Sequence, residues 1–228
     1  MVHIQHKTIL TSNYYLQPYY DILTNHSFTT VRPYSELLKF KRMTKLPLLK
    51  ILGILNHSRD QRNHFAHLIL NDLSTLPELL SICEKIDEEV SCRAAWGLEF
   101  LCKKNLTVVF PHLDEIIKIA SKVYRHQAVR PMAKIFEYVI EAYYKQKPVA
   151  ILQYLNTAQR EKITEICFDW LITPQKVASQ AYAMTALYLL GTEFDWIHPE
   201  LKIILENNYI SSSAAYKARA RMILKKIS

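Results

Sequence analysis

Alanine recurs at Ala66, Ala94, Ala133, Ala181 and Ala218, each time inside one of a series of amphipathic segments. A small residue at a fixed place in each unit lets neighbouring helices approach closely, and a helix pair that cannot bury its apolar face alone must stack on the next. The pattern predicts an all-α chain, an α-α superhelix of about four to five helix pairs. It constrains chemistry far less, because such stacks build binding surfaces by shape.

Composition agrees with one continuous core: of 228 residues, 50% are hydrophobic. Only three glycines occur, so no glycine-rich loop is available to cradle a phosphate and no dinucleotide fingerprint is possible. Cys83, Cys92, Cys102 and Cys167 form no C-x-x-C pair and fall on or beside apolar stripes, which predicts reduced core thiols. No secretory signal or membrane-length apolar run is visible, since Lys50 breaks the stretch from Leu46 to Leu55. A cytoplasmic, bacterial-type protein with no cofactor and no membrane partner is expected.

The net charge of +8 lies at the two ends. Residues 1–42 hold five Lys/Arg against two acids, residues 211–228 hold five against none, and the body carries 19 of each sign. A stack that tracks a phosphate backbone would spread positive charge over several repeats. The even balance favours a protein partner over nucleic acid.

Residues 1–42 are tyrosine-rich and lack a helical period, so they are expected to be irregular, either preceding a translation start at Met43 or capping the first helix pair. The solenoid domain is expected over 43–228. Periodicity predicts helices at about 47–56, 59–71, 76–86, 88–104, 111–123, 126–145, 148–171 with a break near Asn156, 174–190, 198–208 and 213–227. Ser58 to Gln61 and Thr75 to Glu78 have capping-box spacing, and prolines near helix starts such as Pro77 suit a first turn that needs no N–H.

The run from Asp87 to Leu98 resembles a helix of a HEAT repeat, whose pattern is D-x-x-V-R-x-x-A-x-x-x-L. Asp87, Val90, Ala94 and Leu98 match, and Ser91 stands where arginine is usual. Val129, Arg130 and Ala133 restore the V-R-x-x-A core, and Val177 with Ala181 keeps it without the arginine. The steps of 28, 39, 48 and 37 residues between the alanines mark degenerate copies over about 58–227. The resemblance implies a protein-binding scaffold. HEAT-like folds also include alkylpurine DNA glycosylases, which hold a damaged nucleotide with aromatic residues and an aspartate; Trp96, Asp169 with Trp170, and Asp195 with Trp196 are the residues here that such a site would draw on. Ser211–Lys217 faintly resembles the signature loop of adenylosuccinate lyases, with only the serines and lysine matching.

Asp60, His64 and His67 lie at i, i+4 and i+7 and could face one way along a helix, but the usual zinc pairing is missing and a solvated face is the expected reading. No nucleophile, base or cofactor motif can be named, so the chain is expected to be non-enzymatic. The last helix carries Lys217, Arg221 and Lys225 as one stripe, read as a terminal cap with a basic outer side. Second helices of successive pairs are expected to line one face. Glu78, Lys85, Asp114, Lys118, Arg160, Glu161 and Glu165 are expected to be exposed and to offer mixed-charge contacts to an unidentified protein partner. The sequence sets no oligomeric state.

Overall fold

The computed structural model describes residues 47–227; the expectations for residues 1–42 lie outside them. Eleven α-helices follow in order: α1 Leu48–Ile54, α2 Arg59–Asn71, α3 Leu76–Cys83, α4 Glu89–Lys104, α5 Leu113–Ala120, α6 His126–Glu141, α7 Val149–Tyr154, α8 Thr157–Ile172, α9 Val177–Leu190, α10 Ile197–Tyr209 and α11 Ala214–Ile227. There is no strand among the described residues, and the all-α reading holds.

Two layers result. The second helices α2, α4, α6, α9 and α11 pack each on the next. The first helices pack on their partners, α3 on α4, α8 on α9 and α10 on α11, while α5 lies against α3 and α8. The short α1 rests on α4 and α3. Every recurring alanine falls in a second helix, where close stacking needs a small side chain. Ala66, Ala94 and Ala133 are fully buried. The last two copies have slipped: Ala181 is half-buried and Ala218 exposed, and Ala183 and Ala220 fill the core instead.

Between α2 and α4 the approach is closer than alanine allows. At Gly97 on α4, an added Cβ would lie 2.3 Å from the ring of Phe65 on α2, a ring that is itself 1% exposed. All four cysteines are buried and unpaired, and burial pushes the thiols of Cys83, Cys102 and Cys167 up out of the reactive range.

The helix starts differ from the expected caps. The Ser58 hydroxyl makes no capping bond; Gln61 instead accepts from the Asn56 backbone N–H at 3.2 Å, and Asn56 accepts from Ser58 N–H at 2.8 Å. Thr75 likewise makes no side-chain cap, its hydroxyl donating to the Asp72 carbonyl. The reciprocal capping box forms at Asn156 and Gln159, where the expected break divides α7 from α8. Asn156→Ala is expected to cost about 1 kcal/mol, measured as a shift of the urea midpoint.

Beyond α6 the chain widens into a single π-turn, Ala142–Gln146, closed by Lys147 in the left-handed region at φ 48°. The wider turn brings Tyr143 and Tyr144 onto the start of α8, where Arg160 is 5% exposed. Arg160 was expected at the surface. Instead it donates to both carboxylate oxygens of Glu193 at 2.6 and 3.1 Å and to the Leu155 carbonyl at 2.8 Å, with the Tyr143 ring 4.4 Å from its guanidinium. Tyr144 completes the cluster by donating to Glu193 at 2.6 Å.

Candidate interaction face and basic cavity

The second-helix layer carries a row of polar and aromatic side chains at mixed depth, linked from each helix to the next. Arg62 of α2 lies 4.6 Å over the Phe100 ring of α4. Glu99 of α4 accepts from Arg130 of α6 at 2.7 and 3.4 Å. Lys134 of α6 pairs with Glu137 and sits 4.6 Å over both Tyr138 and Tyr182, the latter on α9. Arg219 of α11 donates to Thr185 of α9 at 3.0 Å, and Lys226 lies 5.0 Å over Tyr188.

The signs along this row are unequal in depth. Its carboxylates are sunk, Glu99 at 6% and Glu137 at 4% exposure, while their cations stay partly open to solvent. Burial pushes the Glu99 carboxyl above its ordinary range, against the pull of Arg130, Arg62 and Lys134. Along residues 43–210 charge is even; across this face cations stand outermost.

Where α2, α4 and α6 begin their row, a cavity of about 420 Å³ opens. Arg62, Arg130 and Lys176 line it together with Trp96 and the imidazoles of His57 and His126. Trp96 is half-buried here: its indole N–H donates to the Gln127 carbonyl at 2.9 Å and its ring meets His57 with centroids 4.6 Å apart. Arg62 is fixed from behind by donating to the His57 carbonyl at 2.5 Å.

The residues expected to bind a partner lie elsewhere. Asp114 and Lys118 sit exposed on α5, and Glu161 and Glu165 exposed on α8; both helices belong to the first-helix layer. Lys118 reaches Glu84 at 2.9 Å and Glu165 reaches Lys162 at 2.6 Å. On α11, Arg221 and Lys225 are exposed and Lys217 half-buried; Arg221 donates to the Tyr209 hydroxyl at 3.0 Å, and together with Lys225 it lines a shallow apolar depression beside Ile210.

The three tryptophans do not converge. Trp170 is core, stacked on Phe136, and with Asp169 borders a separate cavity of about 290 Å³ that Tyr124 also lines. Trp196 is exposed over Phe168. The lyase-like serines form the start of α11, with the Ser213 hydroxyl accepting from Tyr216 N–H at 3.3 Å. Asp60 and His67 are exposed and His64 is half-buried on α2, and no three metal-ligating side chains converge among the described residues.

The described helices include none long and apolar enough to cross a membrane. A family model described as a HEAT repeat domain matches residues 55–227. No curated protein and no solved structure matches the chain significantly.

Proposed function

Since the chain belongs to the HEAT repeat domain family, we propose that it is a non-enzymatic scaffold that binds a protein partner along its second-helix layer. The carrying observation is the row of cation, aromatic and carboxylate side chains that crosses α2, α4, α6, α9 and α11 with each member tied to its neighbour. Side chains already held in place lose little freedom on binding, so contact energy is kept as affinity. Aromatic and arginine side chains at half-burial are the types that carry most interface energy. Cations above sunken carboxylates suit an acidic, aromatic-bearing segment of a partner. The half-buried Lys217 and exposed Arg221 and Lys225 of α11, and the mixed charges of Asp114, Lys118, Glu161 and Glu165 on the first-helix layer, supply further contacts of lower energetic weight.

Affinity purification from the native cell, with mass spectrometry and a check for nucleic acid, is expected to recover a protein partner. Tyr182→Ala is expected to weaken that association at least about tenfold, with a melting temperature within a few degrees of the parent. Retention of the partner by this variant removes the second-helix layer as the binding face, and a preparation free of any partner removes the scaffold reading. The nucleic-acid reading instead expects affinity that falls steeply with salt and weakens when Lys217, Arg221 and Lys225 become alanine.

A further inference from the structure

The cavity between α2, α4 and α6 differs from the rest of the row in its charge balance. Arg62, Arg130 and Lys176 converge on it from three parts of the chain. Glu99, the carboxylate bonded to one of these cations, is buried and engaged by Arg130 through two hydrogen bonds. The Lys176 carbonyl accepts from the backbone N–H groups of Ser179 and Gln180, but the Lys176 ammonium makes no hydrogen bond or ion pair among the described residues. The three cations and one carboxylate alone leave a local excess of two positive charges. Burial draws the Arg62 guanidinium below its ordinary value, Glu99 pulling against the fall and Arg130 adding to it.

Backbone polarity adds to this. His126 is the first residue of the 16-residue α6, and Lys176 directly precedes the 14-residue α9, so two long helices begin at the rim. Their free N–H groups and dipoles favour negative charge there. The His126 ring and the Gln175 side chain join the two starts at 3.0 Å. Like charges held together by independent contacts are costly unless an anion comes between them.

The volume says what the anion is attached to. About 420 Å³ is more than a bare oxyanion fills and lies within the range of small-molecule sites. Part of the wall is the Trp96 indole with the His57 ring tilted against it at 39°, an aromatic surface for a flat group. A doubly charged oxyanion answers an excess of two cations better than a carboxylate does, and it must carry a planar group.

We propose that this cavity binds a nucleotide, its phosphate monoester among Arg62, Arg130 and Lys176 and its base against Trp96 and His57. The phosphate is gripped by side-chain cations and helix starts, which needs no glycine loop. The nucleotide is either free or the 5′-phosphorylated end of a strand; both present the same monoester. The site shares Arg62 and Arg130 with the second-helix row but adds Lys176, Trp96 and His57, so Lys176→Glu reads nucleotide binding apart from the partner association that Tyr182→Ala reads.

Isothermal titration of the full chain with AMP is expected to show one saturable site, with adenosine bound at least about tenfold more weakly. Lys176 is exposed and its side chain makes no capping bond, so Lys176→Glu leaves the fold intact and is expected to weaken AMP at least tenfold. Lys202→Glu, an exposed lysine on α10, changes charge equally and is expected to leave binding unchanged. A ten-base single strand is tested with and without its 5′-phosphate. Tighter binding of the phosphorylated form than of AMP, lost in Lys176→Glu, assigns the site to a strand end and supports the proposal. No saturable AMP or strand-end binding, equal affinity for Lys176→Glu and parent, or strand affinity indifferent to the 5′-phosphate would each overturn it.

Discussion

Arg160→Met lowers the stability of the folded chain by about 3 kcal/mol, a fall of roughly 6–12 °C in melting temperature for a chain of this size. The substitution keeps most of the volume and removes the charge that satisfies Glu193, Thr157 and the Leu155 carbonyl together. Breaking one partner of a sunken ion pair is worse than never having built it, because the other charge stays behind partly desolvated. Glu193 is about one-third exposed and can recruit water, which places the loss at the lower end of the range for such pairs. Tyr144→Phe removes one neutral donor to the same carboxylate and is expected to cost about 1 kcal/mol. Measured together, the two substitutions should cost less than their sum, since both act through Glu193.

The same cluster sets a pH dependence. Burial opposes ionisation of Glu193, but the hydrogen bonds from Arg160 and Tyr144 outweigh it and hold the carboxyl below its ordinary 4.5. A depressed folded value means stability that is fully present above 4.5 and lost as the pH falls through the folded value. Glu99 works in the opposite sense, since its raised carboxyl becomes less of a burden as it protonates. Glu193→Gln isolates the first effect: urea midpoints measured from pH 6 downward should fall less steeply for the variant than for the parent. Equal slopes would remove Glu193 as a source of acid sensitivity.

Gly97→Ala is expected to destabilise by about 2 kcal/mol, although the same change in an open helix gains about 1 kcal/mol. The sign reverses because the new methyl group meets the Phe65 ring, which has nowhere to retreat. Phe65→Leu in the Gly97→Ala background shrinks the opposing side chain and should recover part of the loss, whereas Phe65→Leu alone should cost stability by leaving a gap. Thermal unfolding of the three variants tests this, and a Gly97→Ala variant as stable as the parent would refute close α2–α4 stacking.

Periodicity located nearly every helix, because burial on one side imposes the 3.6-residue repeat wherever two layers pack. The break near Asn156 was legible, but the capping box that makes it, Asn156 with Gln159, was not singled out, and the two boxes that spacing suggested do not form. What local pattern could not show is how far apart partners lie. Glu99 and Arg130 are separated by 31 residues, Arg160 and Glu193 by 33, Thr185 and Arg219 by 34. A cation or acid answered about one repeat later was the only signal available, and Arg160 read as a surface charge because its counterpart belonged to another unit. The basic cavity stayed hidden similarly, since its residues run from His57 to Lys176 and only stacking brings them to one rim. The slipped alanines at 181 and 218 show the limit of the repeat itself: each later copy keeps a buried alanine, two residues further on.

The links of the second-helix row run only between neighbours. Opening the α10–α11 pair breaks the contacts of Arg219 and Lys226 but leaves those of Arg62, Glu99 and Arg130 untouched. Amide hydrogens of α4 and α6 should therefore exchange with solvent far more slowly than those of α11, the chain fraying from its C-terminal end while its centre stays closed.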